Sequence, residues 1–197
     1  MSGSPYGDVK VKTKADLSYL PLAIPAFNET LGELTLERIN GDNGEDVAAC
    51  QQMLNHEIEQ GNSYPQEEPL NEVQFRAYFL SHDAFLVRKV STGQPIACFY
   101  VKPNFPGRCS HICNGGFITA APFRRLGVAR LMGVQFQRIA RDLGYTASFF
   151  NLVFVTNVAS VELWKSLGFV VTGRVPNAAR LKGHESPVDA LQIYKAF

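Results

Sequence analysis

No stretch of this 197-residue chain approaches the roughly 18 consecutive apolar residues that a membrane-spanning helix needs, so no membrane partner is expected. An excess of charge is missing too: 19 Lys and Arg stand against 18 Asp and Glu, a formal net charge of +1. That balance supplies no overall field to recruit nucleic acid, and no nucleic-acid partner is expected either. Cysteine is sparse and unpatterned. Cys50, Cys98, Cys109 and Cys113 lack the spacing of a disulfide scaffold, so reduced thiols in the cytoplasm are the expected state, with the mitochondrion left open. Residues 1–14 hold neither an apolar segment nor an arginine, and so read as neither a secretory signal nor a transit peptide.

What is present describes a folded globular protein: 46% hydrophobic and 19% charged residues, without an internal repeat or a low-complexity tract. A Ser/Gly/Pro start followed by Lys10, Lys12 and Lys14 predicts a solvated, partly extended leader over residues 1–30, then a single domain over 31–197. Alternation over residues 33–40 predicts a first strand. Asn43 then caps a helix with apolar residues Val47, Met53, Leu54 and Ile58 and a stop at Gly61. Asn71-Glu-Val-Gln74 has the form of a capping box for a second helix reaching about Ser81. Residues 84–90 and 95–101 form a hairpin through Ser91-Thr-Gly93-Gln94, and 109–119 make a further strand.

After that strand, Val128, Leu131, Met132, Phe136, Ile139 and Leu143 recur at helical spacing, with Arg130, Gln137, Arg138 and Arg141 opposite. Residues 148–155 are an apolar run of the kind buried on both faces. Asn157 opens a short helix ending at Gly168, and 169–175 and 188–194 supply two last strands. The resulting order, β-α-α-β-β-β-α-β-α-β-β, predicts a mixed α/β (α+β) fold around one central sheet with helices on both faces.

The segment that carries chemistry is Arg124-Arg125-Leu126-Gly127-Val128-Ala129, between a strand and the amphipathic helix. Small residues at 127 and 129 let a ligand approach the backbone, and a helix N-terminus offers unpaired N–H groups and a positive dipole end. A diphosphate suits such a place, although an ordinary strand-to-helix loop has the same composition. Together with Asn157 and the helix end Leu167-Gly168-Phe169, this Arg-x-x-Gly-x-Ala pattern resembles the GNAT acetyltransferase superfamily. The resemblance implies acetyl-CoA as co-substrate. Its pyrophosphate would lie on residues Arg124 to Ala129, its pantetheine arm against Asn157, and its thioester in a gap between two splayed strands.

A narrower likeness covers about residues 50–195. Its blocks are Asn55–Gln66, Tyr100–Asn104, Arg108–Phe117, Phe150–Asn157 and Ser186–Ala190, the eight residues of Phe150–Asn157 being the most specific. They resemble the fungal L-azetidine-2-carboxylate N-acetyltransferases, which acetylate proline analogues. That resemblance implies a small cyclic imino acid as acceptor and Asn114 and Asn151 as substrate-binding residues. Carboxamides can hold a carboxylate without placing formal charge beside the thioester. Phe117 and Tyr64 are expected to wall the pocket, and the backbone N–H groups near Phe117 to polarise the thioester carbonyl. A homodimer stays open as the state of assembly.

Two catalytic roles find no obvious owner. Many superfamily members carry a tyrosine on the last helix as general acid, whereas this chain has Leu163-Trp164-Lys165. For the general base, the strand offers only His111, on the opposite face from Asn114, so a water held by backbone carbonyls is the alternative. An amine of pKa near 10 is neutral about one part in 10³ at pH 7, a cost of roughly 4 kcal/mol, so some route for the proton is needed. Cys109, His111 and Cys113 would share one face of a strand, but residues four apart lie roughly 13 Å apart. Zinc ligands sit within about 2.3 Å of the metal, so no metal is expected. Two other readings stand beside the imino-acid enzyme: a protein or polyamine acetyltransferase, with Glu67 and Glu68 as its faint acidic signal, and a coenzyme A-binding module without activity.

Overall fold

A computed structural model describes residues 16–197, so the Lys10, Lys12 and Lys14 part of the expected leader lies outside the described residues. Within them, eight strands form one mixed sheet in the order β1-β2-β3-β4-β5-β6-β8-β7. The strands are β1 (Leu22–Ile24), β2 (Leu34–Arg38), β3 (Asp83–Lys89), β4 (Gln94–Pro103), β5 (Ile112–Thr119), β6 (Ala147–Phe154), β7 (Val170–Ala179) and β8 (Val188–Ala196). The helices are α1 (Gly44–Gln60), α2 (Glu72–Phe79), α3 (Val128–Asp142) and α4 (Val158–Ser166). The expected mixed α/β order is present, with β1 added at the edge, where Leu22 to Ile24 pair antiparallel with β2.

Local capping accounts for the helix ends. The Asn43 side chain accepts from the N–H groups of Glu45 and Asp46, and Asn71 and Gln74 form the reciprocal capping box. Gly61 ends α1 in the left-handed conformation, its N–H returning to the Glu57 carbonyl.

Alternation along the central strands sorts side chains between two cores. Phe85, Val87, Phe99, Val101 and Cys113 face α3 and α4, where Met132, Phe136, Ile139 and Trp164 meet them. Leu86, Cys98, Tyr100 and Ile118 face α1 and α2, packing on Leu54, Ile58, Phe75 and Phe79. Burying aromatic and aliphatic surface on both faces of one sheet is the main stabilising contribution to such a fold.

Three local expectations need correction. Residues 107–109 form a 3₁₀ turn and β5 starts only at Ile112, so Cys109 and His111 are not on the strand. Gly107 at φ 57° and the Cys109 N–H bonded to the Pro106 carbonyl hold that turn, which alternation in sequence does not reveal. The run at 148–155 is not buried on both faces throughout: Leu152 is exposed, because the pairing of β6 with β8 shifts between Phe150 and Val153. Helix α2 stops at Phe79, short of Ser81.

Candidate active site

The site exists because two parallel strands part company. β5 and β6 pair only at Ile112 with Ala147 and at Cys113 with Ser148. Beyond those residues no pairing joins them, and the backbone groups of β5 that point toward β6 are left without a strand. A cleft of about 700 Å³ opens there, lined by Asn114–Thr119 on one side and Phe150–Phe154 on the other. That size falls within the range of small-molecule sites.

At one end of the cleft lies the turn into α3. Arg124, Arg125, Gly127, Ala129 and Arg130 line it. Arg125 and Gly127 both take left-handed backbone angles, φ 62° and 90°, which turn the chain sharply before the helix. The N–H groups from Arg125 to Arg130 meet no acceptor among the described residues, and no side chain caps α3. Six open donors at the positive end of a helix form a cradle suited to an anion. Leu126 and Val128 contribute only backbone to it, since their side chains pack into the core. Arg124 is already engaged: its guanidinium pairs with the Glu57 carboxylate, and its Nε donates to the Thr119 carbonyl at 3.2 Å.

Glu57, from α1, also accepts from the Ser63 hydroxyl at 3.0 Å. Among the described lining residues it is the sole carboxylate, and both of its oxygens are occupied by these two partners.

The other end is polar and aromatic. Asn114 accepts the Gly115 N–H through its Oδ1 at 2.8 Å, which leaves its Nδ2 without an acceptor among the described residues. Asn151 forms a reciprocal carboxamide pair with Asn104, a residue that buries itself at the end of β4. Each amide spends one donor and one acceptor on the other, so each keeps a second N–H. Asn157 accepts the Ser160 N–H at 3.2 Å and thereby caps α4 while lining the cleft.

Tyr64, Tyr78 and Tyr100 close the wall beneath α1 and α2. The Tyr64 hydroxyl is buried without a hydrogen-bond partner among the described residues, and burial raises its pKa well above the ordinary phenol value. The hydroxyls of Tyr78 and Tyr100 lie 3.3 Å apart. A Cβ at Gly116 would come within 2.5 Å of the Tyr100 ring, so only glycine lets that ring lie across β5. Phe117 lines the cleft from the opposite face, stacked on Phe99 and in contact with Phe136 and Trp164.

His111 is exposed, sits 3.2 Å from the Arg108 carbonyl, and does not line the cleft. Glu67 and Glu68 are exposed in the loop after α1. Among the described residues no group of three or more His, Cys, Asp or Glu is arranged to hold a metal ion. Asn104, Glu57, Tyr78, Tyr100 and Lys102 are the neighbourhood that reading the sequence did not single out. Asn104 and Lys102 lie in the Tyr100–Asn104 block, but nothing local says which face they serve.

Comparison with known proteins bears on this geometry. The acetyltransferase (GNAT) family pattern matches residues 50–169. N-acetyltransferase aca1 of Schizosaccharomyces pombe is 37% identical over 153 residues, which is 70% of this chain and 73% of its own length. The GCN5-related N-acetyltransferase from Kribbella flavida has a TM-score of 0.77 at 25% identity, over 83% of this chain and 98% of that one. The protein yncA from Salmonella typhimurium, solved with its cofactor acetyl-CoA, has a TM-score of 0.71 at 16% identity, over 83% of this chain and 93% of that one.

Proposed function

The chain belongs to the acetyltransferase (GNAT) family of N-acetyltransferases, and from that premise we propose that it transfers acetyl from acetyl-CoA to the ring nitrogen of a small cyclic imino acid, such as L-azetidine-2-carboxylate or cis-4-hydroxyproline. The observation that carries this reading is the two-ended cleft: an open row of N–H donors at the turn into α3, and a compact carboxamide and tyrosine chamber where β5 and β6 part.

The residues present fit acetyl-CoA. The cradle from Arg125 to Arg130 suits the pyrophosphate, with the exposed guanidinium groups of Arg125 and Arg130 beside it. Arg124 supports the cradle through its carbonyl and ion-pair contacts rather than by adding free charge, and Leu126 and Val128 serve through their N–H groups. The unused Nδ2 of Asn157 would meet the pantetheine arm. Bound acetyl-CoA would supply the thioester carbon: the acceptor nitrogen bonds to it, the carbon–sulfur bond breaks, coenzyme A leaves as the thiolate, and the nitrogen's proton passes through water to solvent or to that sulfur. Backbone N–H groups of β5 near Phe117, left without a strand on the β6 side, would stabilise charge on the carbonyl oxygen.

On the acceptor side, Asn114 and Asn151 would orient the imino acid, with Tyr64 and Phe117 as walls. A polyamine or a lysine-rich segment fits this chamber less well. Such an acceptor is drawn by free carboxylates, and Glu57, the sole carboxylate among the described lining residues, is spent on Arg124 and Ser63.

Mass-spectrometric turnover with azetidine-2-carboxylate, spermidine and a lysine peptide in parallel tests the reading. Acetylation of the imino acid alone is expected. Asn114→Asp should raise its KM about ten- to a hundredfold, since a lost hydrogen bond to a charged group is worth roughly 1.5–3 kcal/mol, while the KM for acetyl-CoA holds. Preferred acetylation of the peptide or the polyamine would reject the substrate; no turnover with acetyl-CoA bound would favour a module without activity.

A further inference from the structure

One cation beside the acceptor side has no carboxylate to answer it among the described residues. Lys102 stands on β4 directly opposite Asn114 on β5, so the two side chains leave the sheet on the same face, the one that carries Tyr100 and packs on α1 and α2. Its Nζ lies 4.4 Å from the ring centroids of both Tyr78 and Tyr100, and it donates to the Tyr78 carbonyl at 3.5 Å. Among the described residues no Asp or Glu pairs with it. Tyr78, Tyr100 and Asn114 line the cleft, and Lys102, which is not itself a lining residue, stands against them.

A partly buried ammonium held by ring faces and one long carbonyl contact is an incomplete site. Tyrosine faces attract a cation but accept no strong hydrogen bond, and two of the three ammonium donors remain open. The neighbour across the strand pair offers a free carboxamide Nδ2, which is likewise a donor. Donors without acceptors on both sides of one space call for an anion, and an acceptor amine that carries its own carboxylate brings one.

We propose that Lys102 anchors the acceptor's carboxylate, which enters between its ammonium and the Nδ2 of Asn114, and that this lysine makes the enzyme select acceptors bearing a free α-carboxylate. The assignment rests on the imino-acid reading and adds to it a specificity-determining residue. It accounts for the missing counter-ion: the substrate brings it. It also separates two jobs, since a carboxylate held by Lys102 and Asn114 leaves Asn151, fixed by Asn104, to orient the ring. Burial pushes the Lys102 pKa down to about 8, so the side chain still carries its charge at neutral pH when the carboxylate arrives.

The test compares wild type, Lys102→Met and Lys102→Arg on azetidine-2-carboxylate and on its carboxamide, with linear α-amino acids and their amides as a second set, at saturating acetyl-CoA. The wild type should favour each acid over its amide. Lys102→Met should raise KM for the acid about ten- to a hundredfold, the size of a lost charged hydrogen bond, and leave the amide nearly unchanged, so the preference disappears. Lys102→Arg should restore part of it, and the KM for acetyl-CoA should hold throughout. A Met variant that keeps the acid-over-amide ratio overturns the assignment, whatever the acceptor. If the wild type ignores cyclic imino acids but acetylates a linear amino acid with a preference that Lys102→Met abolishes, the imino-acid reading falls and the lysine assignment stands. If the wild type shows no preference for acids over amides, the assignment falls. Lys102→Gln replaces the Met variant should that one fail to fold, and calorimetric titration of acid and amide into the coenzyme A-bound protein makes the same comparison without turnover.

Discussion

Asn104 and Asn151 lie 47 residues apart in sequence and meet as a closed pair of carboxamides, Asn104 Nδ2 donating to Asn151 Oδ1 at 3.0 Å and Asn151 Nδ2 to Asn104 Oδ1 at 2.6 Å. The pair ties the end of β4 to the shifted segment of β6, across the first residues of β5. Asn104 thus acts as a positioning residue for Asn151. Asn104→Ala should leave both polar ends of Asn151 unanswered, at about 1–2 kcal/mol of stability, and raise acceptor KM roughly tenfold with acetyl-CoA KM unchanged. Asn104→Asp still accepts from Asn151 Nδ2 and should lose less. Steady-state kinetics on both substrates with a urea melt of each variant checks this, and equal KM changes on both substrates would contradict it.

Gly127 occupies the left-handed region at φ 90°, and a Cβ there would sit 3.0 Å from the Phe27 ring. Gly127→Glu therefore carries two penalties. The backbone strain should cost about 1–2 kcal/mol, and the added negative charge faces the N–H cradle where the pyrophosphate is expected. Acetyl-CoA affinity should drop at least about tenfold, with acceptor specificity retained at high acetyl-CoA. Gly127→Ala isolates the strain, so calorimetry on the pair apportions the two effects. Equal affinities for the Ala and Glu variants would remove the pyrophosphate from this turn.

Gly116 is the close approach on the other side. Its missing side chain lets the Tyr100 ring, 5% exposed, lie over β5, and a methyl at that position would be 2.5 Å from the ring edge. Gly116→Ala should push Tyr100 into Tyr78 and the chamber, at about 1–3 kcal/mol of stability, because overpacked cores yield only by shifting neighbours. Acceptor kcat/KM should fall more than acetyl-CoA affinity. An unaltered acceptor profile in a variant with reduced stability would mean that Tyr100 is core and not pocket.

Lys102 also makes a prediction about stability and pH. Its folded pKa, about 8 because of burial, lies below the free value of 10.5. Between those values the unfolded chain binds more protons than the folded one, so the stability contributed by this residue rises as pH climbs from about 8 to 10.5 and the full penalty acts below 8. The groups that face it, the rings of Tyr78 and Tyr100, are present in wild type and variant alike. Lys102→Met should therefore be no less stable than wild type at pH 7, and more stable by up to about 3 kcal/mol, with the gap narrowing toward pH 10. Urea unfolding of both proteins at the two pH values measures it. A Met variant that is less stable at pH 7 would make the tyrosine cage a structural device.

The order of elements was legible in the sequence because its causes are local. Asn43, Asn71 with Gln74, and Asn157 cap the helices they precede, and the spacing of Val128, Met132, Phe136 and Ile139 sets the buried face of α3. The turn into α3 around Arg124 to Ala129 was legible for the same reason: a glycine, a small residue and a helix start are neighbours in the chain. Cys109 misled because alternation over a short stretch cannot tell a strand from a 3₁₀ turn followed by one. Contacts between distant segments leave no such trace. Nothing in residues 188–196 says that β8 inserts between β6 and β7, or that β5 and β6 stop pairing after Cys113 and Ser148. The pairing of Asn104 with Asn151, the occupation of Glu57 by Arg124, and the placing of Lys102 between two tyrosine rings opposite Asn114 depend on register, and register is fixed only when the whole sheet closes on its two cores. An asparagine or a lysine in sequence reads as polar surface, and only the closed sheet shows which of them is buried beside the cleft.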